Sequence, residues 1–253
     1  MTNFDEVGNV MLLENKTAIV YGGAGAIGSA VARVFAGEGA TVHLVGRTHA
    51  PLEELAGTIA GSGGRVEVAT LDATDRAAVE QHADAVARHS AGIDIAFNAT
   101  SNDDLHGTPL VDMADEDVLR PVTKAVTTHL TLATAVARHM IPRHTGVILA
   151  MGGGREAIPG LGGSHIAWSA LSGLCRQLAA ELGPHGIRSA WLLSPGSPDP
   201  SNPPEDDPEA AATLLHRRPR LEDVAYAAAF LASDRAPTMT ATEVNVTGGA
   251  VVD

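Results

Sequence analysis

Cysteine, aromatic residues, basic charge and long apolar runs are all scarce in this 253-residue chain. With Cys175 alone, no internal disulfide can form, and a reducing compartment is expected. A domain of this length buries roughly 70–75% of its unfolded surface and needs no covalent staple or structural metal. Two tryptophans, two tyrosines and four phenylalanines are too few for a base-stacking nucleic-acid surface. Lysine and arginine number 17 against 30 acidic residues, a formal charge of −13, which repels nucleic acid and anionic membranes. No run approaches the roughly 18 apolar residues of a membrane span. The opening stretch, Met1 to Asn15, carries Asp5, Glu6 and Glu14 where an export signal would be basic and then apolar. A soluble, cytoplasmic protein is expected. Metal chemistry is not expected either. There are no paired cysteines and no His-Glu-x-x-His, and neither His82 with His89 nor His139 with His144 has ligand spacing. A Gly-x-Ser-x-Gly nucleophile turn is also missing.

What is present is an alternation of short apolar runs and helical periods. Thr17 to Tyr21, Thr41 to Val45, Arg65 to Leu71, Ile93 to Phe97, Gly146 to Met151, Ile187 to Leu193 and Glu243 to Val246 read as strands. Between them, Ile27 to Gly37, Pro51 to Ala60, Asp75 to Ser90, Asp115 to Met140, Ser164 to Leu182 and Leu221 to Ser233 read as helices. The long fourth helix carries a stripe of Val122, Val126, Ala133, Ala137 and Met140. Strict βαβ alternation predicts an α/β fold: a doubly wound parallel sheet with helices on both faces. One domain is expected over residues 1–253, with 1–15 as an N-terminal extension. Ser194 to Pro208 breaks the rhythm, being dense in proline and acid. It is expected to be irregular and, with the following residues to 220, to lie over a ligand as a lid. Arg217, Arg218 and Arg220 in that stretch are expected to tie down the next helix.

The first strand runs into Tyr21-Gly22-Gly23-Ala24-Gly25-Ala26-Ile27-Gly28, which opens the first helix. Glycines in such a turn let the backbone bend sharply and admit a pyrophosphate to the helix N-terminus, where free N–H groups favour anions. Arg47 follows the second strand. An acidic residue there suits the ribose 2′-hydroxyl of NAD, whereas arginine suits the 2′-phosphate of NADP. NADP(H) is therefore expected in preference to NAD(H).

Six segments then fall in one order. They are the glycine turn, Leu71-Asp72-Ala73-Thr74-Asp75, Phe97-Asn98-Ala99-Thr100, Leu178 to Leu182 with Gly186-Ile187-Arg188, Ser194-Pro195-Gly196, and Asn245 to Gly249. Together they resemble the short-chain dehydrogenase/reductase family over nearly the whole chain. The resemblance implies a Rossmann-type fold, a nicotinamide cofactor, a small-molecule substrate and a homodimer or homotetramer built on the two longest helices. It implies that Gly22, Gly25, Ala26, Ile27 and Gly28 surround the pyrophosphate, with Ala26 replacing the family's middle glycine. Asp72 would bond the adenine amino group with Ala73 beside it. Asn98 and Ala99 would border the cofactor, and Pro195 and Gly196 would lie near the nicotinamide.

The reaction half departs from that pattern. Counting back from Leu178-Ala179, the family's tyrosine falls on Ser164 and its lysine on Trp168. The serine region reads Met151-Gly152-Gly153-Gly154, and the asparagine position falls near Lys124 or Ala125. A shift of one residue puts His165 in the tyrosine position, and histidine donates protons near neutral pH unaided. Ser164 has a structural alternative as a helix N-cap, and Trp168 either stacks on a ligand or packs between helices. Arg155 and Glu156, and His106 with Asp103 and Asp104, face the expected mouth. Three readings stay open. The first is an atypical NADP(H)-dependent oxidoreductase acting on a small carbonyl or imine-like compound. The others are a non-redox cyclase or isomerase, and a cofactor-binding protein without chemistry.

Overall fold

A computed structural model describes residues 11–197 and 207–252. In chain order the elements are β1 (Thr17–Tyr21), α1 (Ala26–Gly37), β2 (Thr41–Gly46), α2 (His49–Gly61), β3 (Arg65–Thr70), α3 (Arg76–His89) and β4 (Ile95–Asn98). They continue with α4 (Asp115–Met140), β5 (Gly146–Met151), α5 (Ser164–Leu182), β6 (Ile187–Leu193), α6 (Pro208–Ala211), α7 (Leu221–Ala232) and β7 (Thr242–Asn245). The strands form a single sheet in the order β3-β2-β1-β4-β5-β6-β7, every neighbouring pair parallel.

Parallel strands must be covered on both faces, and the alternation of side chains along each strand divides the core in two. Ala18 and Val20 of β1, with Leu44, Phe97 and Leu149, pack into the layer of α1, α2 and α7. Ile19 and Tyr21, with Ala96 and Ile148, pack into the layer of α3, α4 and α5. The chain winds outward from β1 to β3, then crosses to β4 on the other side of β1. Connections diverge there, so a crevice opens at the carboxyl ends of β1 and β4.

Several expectations shift in detail. β4 starts at Ile95 rather than Ile93, because the Asp94 side chain accepts from Thr17 N at 2.8 Å and from Arg143 at 2.7 Å. On α4, Ala133, Ala137 and Met140 of the expected stripe are buried, whereas Val122 and Val126 are only half-buried and the first half of the helix turns Pro121, Ala125, Thr128 and His129 inward. The closeness of α5 explains this rotation. A side chain at Gly163 would meet Val118 O at 2.1 Å and the Pro121 ring at 2.7 Å. Among the described residues of the proline-rich stretch, Ser194 to Ser197 and Asp207 belong to no helix or strand, and α6 makes one helical turn starting at its last residue, Pro208. Asp207 caps it, accepting from Ala210 N at 3.0 Å. Arg217 and Arg220 both bond Asp223 in the first turn of α7, and Arg218 bonds Asp207 at 2.8 Å. The N-terminal extension up to residue 10, and residues 198–206 of the expected lid, lie outside the described residues. No helix among the described residues is long and apolar enough to cross a membrane.

Candidate functional site

The carboxyl ends of β1 to β4 open onto one cleft of about 270 Å³, whose walls include Gly22, Gly25, Arg47, Asp72, Ala73, Ala99 and Lys124. Its floor is the turn between β1 and α1. Gly22 takes φ +77°, and a Cβ there would lie 2.4 Å from the Ala99 carbonyl, so this position admits only glycine. Gly28, in the first turn of α1, approaches the same loop: its missing Cβ would sit 2.1 Å from Gly22 O. Gly25 is the N-cap, and no side chain caps the helix. The first N–H groups of α1, beginning at Ala26 and Ile27, therefore point outward without intrahelical acceptors.

Arg47 stands exposed at the end of β2 on the rim of the cleft. Its guanidinium makes no hydrogen bond to any of the described residues. Asp72 is held below the usual carboxylate range, first by the Thr74 backbone N–H and then by the Thr74 hydroxyl. Both bonds use Oδ1, at 2.8 and 2.7 Å, which fixes the carboxylate at the cleft wall. Asn98, expected at the cofactor, is buried beneath the cleft instead. Its Oδ1 accepts from Thr100 N at 3.1 Å and from the Thr100 hydroxyl at 2.8 Å, and its amide meets His129 at 3.4 Å. Asn98 thus shapes the loop carrying Ala99 rather than the wall itself.

Sequence reasoning missed the fourth side of the cleft. Lys124 and Thr128 of α4 line it with Thr100 and Ser101, and Lys124 forms an ion pair with Asp103. Asp103 is lowered below its ordinary value, chiefly by that Lys124 bond. The available signal was the four-residue spacing of Lys124 and Thr128, which puts both on one helical face.

At the start of α5 the residues form a second group. Ser164 is completely buried and is not the N-cap; that position belongs to Gly163, which offers no side chain. The serine hydroxyl turns instead to the loop after β4, donating to Asp104 Oδ2 at 2.7 Å and meeting His106 Nε2 at 2.8 Å. His165, its neighbour, is half-buried, and its Nδ1 is buried without a hydrogen-bond partner among the described residues. Trp168, one turn on, lies flat against the glycine run after β5: a Cβ on Gly153 would fall 2.1 Å from its indole ring. Arg155, past that run, pairs with Glu243, which also accepts from Trp191 Nε1 at 2.6 Å. Glu156 is exposed. Pro195 and Gly196 are exposed just beyond β6, where Gly196 takes φ +101°. Neither borders the cleft.

Comparison with known proteins places this architecture. Residues 22–251 match the family model of enoyl-(acyl carrier protein) reductases. The oxidoreductase UcpA of Salmonella typhimurium is 33% identical over 258 residues, covering 95% of this chain and 96% of the relative. The D-threitol dehydrogenase of Mycolicibacterium smegmatis is 28% identical, covering 94% and 93%. Among solved structures, a short-chain dehydrogenase from Burkholderia cenocepacia J2315 in complex with NADP superposes with a TM-score of 0.83 at 27% identity, covering 94% of this chain and 99% of that one. A match that spans the glycine turn, the crevice and the closing strand alike is a match of the whole domain, and this chain belongs to the short-chain dehydrogenase/reductase family.

Proposed function

We propose that the protein is an oxidoreductase that uses NADP(H) in preference to NAD(H) and acts on a small carbonyl or imine-like compound. The observation that carries the cofactor choice is Arg47, a guanidinium at the cleft rim without a hydrogen-bond partner among the described residues. The bound NADP of the Burkholderia relative supports a nicotinamide cofactor in the same cleft. In this proposal the outward N–H groups at the start of α1 and the Gly22–Gly25 turn clasp the pyrophosphate. Arg47 meets the 2′-phosphate, and Asp72, fixed by Thr74, takes the adenine amino group beside Ala73. Asn98 keeps the Ala99–Thr100 loop in shape, and Pro195 and Gly196, which lie outside the cleft itself, flank the nicotinamide end where the cofactor extends past it. When bound, the nicotinamide supplies or accepts the hydride.

The reaction half is proposed to be atypical. Ser164 and Trp168 occupy the positions where family reductases carry tyrosine and lysine. The glycine run after Met151 lacks a hydroxyl, and α4 has Lys124 and Ala125 near the asparagine position. Substrates that need little acid assistance, such as iminium ions, fit this arrangement best. Trp168 over Gly153 also favours a second reading, a cyclase or isomerase whose turnover is indifferent to the cofactor's oxidation state.

Calorimetric titration tests the first reading. A charge-assisted guanidinium–phosphate contact contributes about 1.5–3 kcal/mol, so NADPH should bind roughly ten- to a hundred-fold tighter than NADH. Arg47→Ala should erase the difference while leaving NADH affinity alone. Equal affinity for both cofactors in the unaltered protein removes the NADP preference. No binding of either removes the oxidoreductase reading itself.

A further inference from the structure

The loop after β4 is strapped along one face of α4. Arg120, Lys124 and Thr128 recur at four-residue spacing on that helix and therefore share a face. Each meets the loop at a different point. The Thr128 and Thr100 hydroxyl oxygens lie 3.4 Å apart, Arg120 Nε donates to the Asp103 carbonyl at 3.3 Å, and Lys124 donates to Asp103 Oδ2. Asp103 Oδ1 accepts from the Ser101 hydroxyl at 3.4 Å, so both carboxylate oxygens are engaged. The residue is held at φ +56°, a left-handed backbone that aspartate tolerates better than most residues.

Lys124 and Asp103 differ in their access to water. The lysine side chain is 16% exposed and that of the aspartate 44%. An ammonium so enclosed needs a negative partner, because much of its hydration is gone. A carboxylate near half exposure regains its hydration when released. Lys124 is thus the fixed member of the pair and Asp103 the replaceable one. Lys124 also belongs to the cleft wall with Gly22, Gly25 and Arg47, and Asp103 does not. Arg47 adds to the same field: it lowers the Asp103 carboxyl after the larger effect of Lys124. Both cations also act on Asp72, after Thr74. An anionic ligand in this cleft must therefore compete with carboxylates for its cations.

We propose that Lys124 is a second anion-binding residue of the cofactor cleft, and that Asp103 competes with a phosphate group of the dinucleotide for its ammonium. The proposal rests on the cofactor reading above and deepens it. Binding exchanges one anion for another on Lys124, and no covalent bond changes. A phosphate oxygen takes the ammonium, and the Asp103 carboxylate passes to water. The contacts at Thr100 and the Asp103 carbonyl persist, so the exchange needs only a turn of the Asp103 side chain. Because that carboxylate must give way first, the apparent Kd is raised by the reciprocal of the fraction already released. The phosphate belongs either to the pyrophosphate or to the ribose 2′-position, and the two cofactors separate these sources.

Calorimetric titration of the full-length protein with NADPH and NADH, paired with thermal unfolding without cofactor, tests this. Asp103→Asn should melt about 2–4 °C lower, having lost the partner of an enclosed ammonium. It should nevertheless bind NADPH about three-fold or more tighter. A residue with a structural role alone would weaken both. Lys124→Met should bind about ten-fold or more weakly, and Lys124→Arg, which keeps the charge, should lose less than about three-fold. In the Lys124→Met background, adding Asp103→Asn should change affinity by less than about two-fold, since the contested ammonium is gone. Equal changes for NADPH and NADH support the exchange at the pyrophosphate, and changes confined to NADPH support it at the 2′-phosphate. Three results overturn the exchange and leave the cofactor reading standing: no gain from Asp103→Asn, no loss from Lys124→Met, or a gain that persists in full without Lys124. Should Lys124→Met fail to fold, the Asp103→Asn titration decides alone. An unaltered protein that binds neither cofactor overturns both readings.

Discussion

Gly28 sits where no side chain fits, 2.1 Å from a backbone oxygen that cannot move without opening the turn. Gly28→Ala must push the start of α1 away from the Gly22 loop. Overpacking of this kind costs about 1–3 kcal/mol, and the displaced N–H groups should weaken NADPH binding as well. Thermal unfolding and a cofactor titration on the same variant check both effects; a stable variant with normal binding contradicts the proposed clasp. The buried histidines set the response to acid. Burial pushes His82 and His129 down to about 4 and lowers His43, against the opposing charge of Glu67. Because these folded-state values lie below the ordinary 6.5, the unfolded chain binds more protons in between, and stability must fall as pH drops. Their contribution is complete above about pH 6.5 and disappears progressively toward about pH 4. Urea unfolding at about pH 5 should show a loss of about 2 kcal/mol or more relative to about pH 7.5. His82→Gln should flatten that slope. Stability that held constant over the interval would contradict the burial argument.

At the scale of elements, β5 and α5 are matched in volume. The glycines following β5 leave the room that the Trp168 ring occupies, and the contact at Gly153 is too close for even a methyl group. Gly153→Ala should cost about 1–3 kcal/mol. Adding Trp168→Ala should restore a large part of that loss, and a double-mutant cycle from urea midpoints should show strong non-additivity. Additive losses would mean that the ring has another place to go. The same elements show what could be read from the chain alone. α4, α5, β5 and β6 begin and end where apolar periodicity and the flanking glycines put them, because those signals are local. The glycine turn and Asp72 were legible for the same reason: each is a few residues at a strand end. The inward face of α4 was read correctly at Ala133, Ala137 and Met140 but misread in the first half of the helix, where the close approach of Gly163 decides it. Ser164, His106 and Asp104 were each placed at the expected mouth, but the hydrogen bonds that join them were out of reach. The partners of Ser164 lie 58 and 60 residues away, and no spacing rule connects a loop after one strand to a helix after the next.

For the molecule as a whole, apolar side chains left outside the two-layer core point to assembly. Leu119 and Leu130 on α4 and Ile166 on α5 remain exposed, on the helices expected to pair between copies. We propose a homodimer or homotetramer joined through these helices. Sedimentation velocity should give a mass two or four times the 25.9 kDa chain, and Ile166→Glu should shift it toward the monomer. A monomeric unaltered protein at micromolar concentration would rule the arrangement out.

The lone thiol offers a view of the same interior from outside. Cys175 is wholly enclosed between α5 and the sheet with Ala150, Leu171 and Trp191, and its Sγ lies 3.5 Å from His129. Burial pushes the thiol up to about 12, so in the closed fold it is both shielded and unreactive. Any labelling by a thiol-directed dye must therefore wait for α5 to lift from the strands. Without an engineered probe, the labelling rate becomes a chemical clock for breathing between α5 and the sheet, and it should slow when cofactor binding holds the layers together.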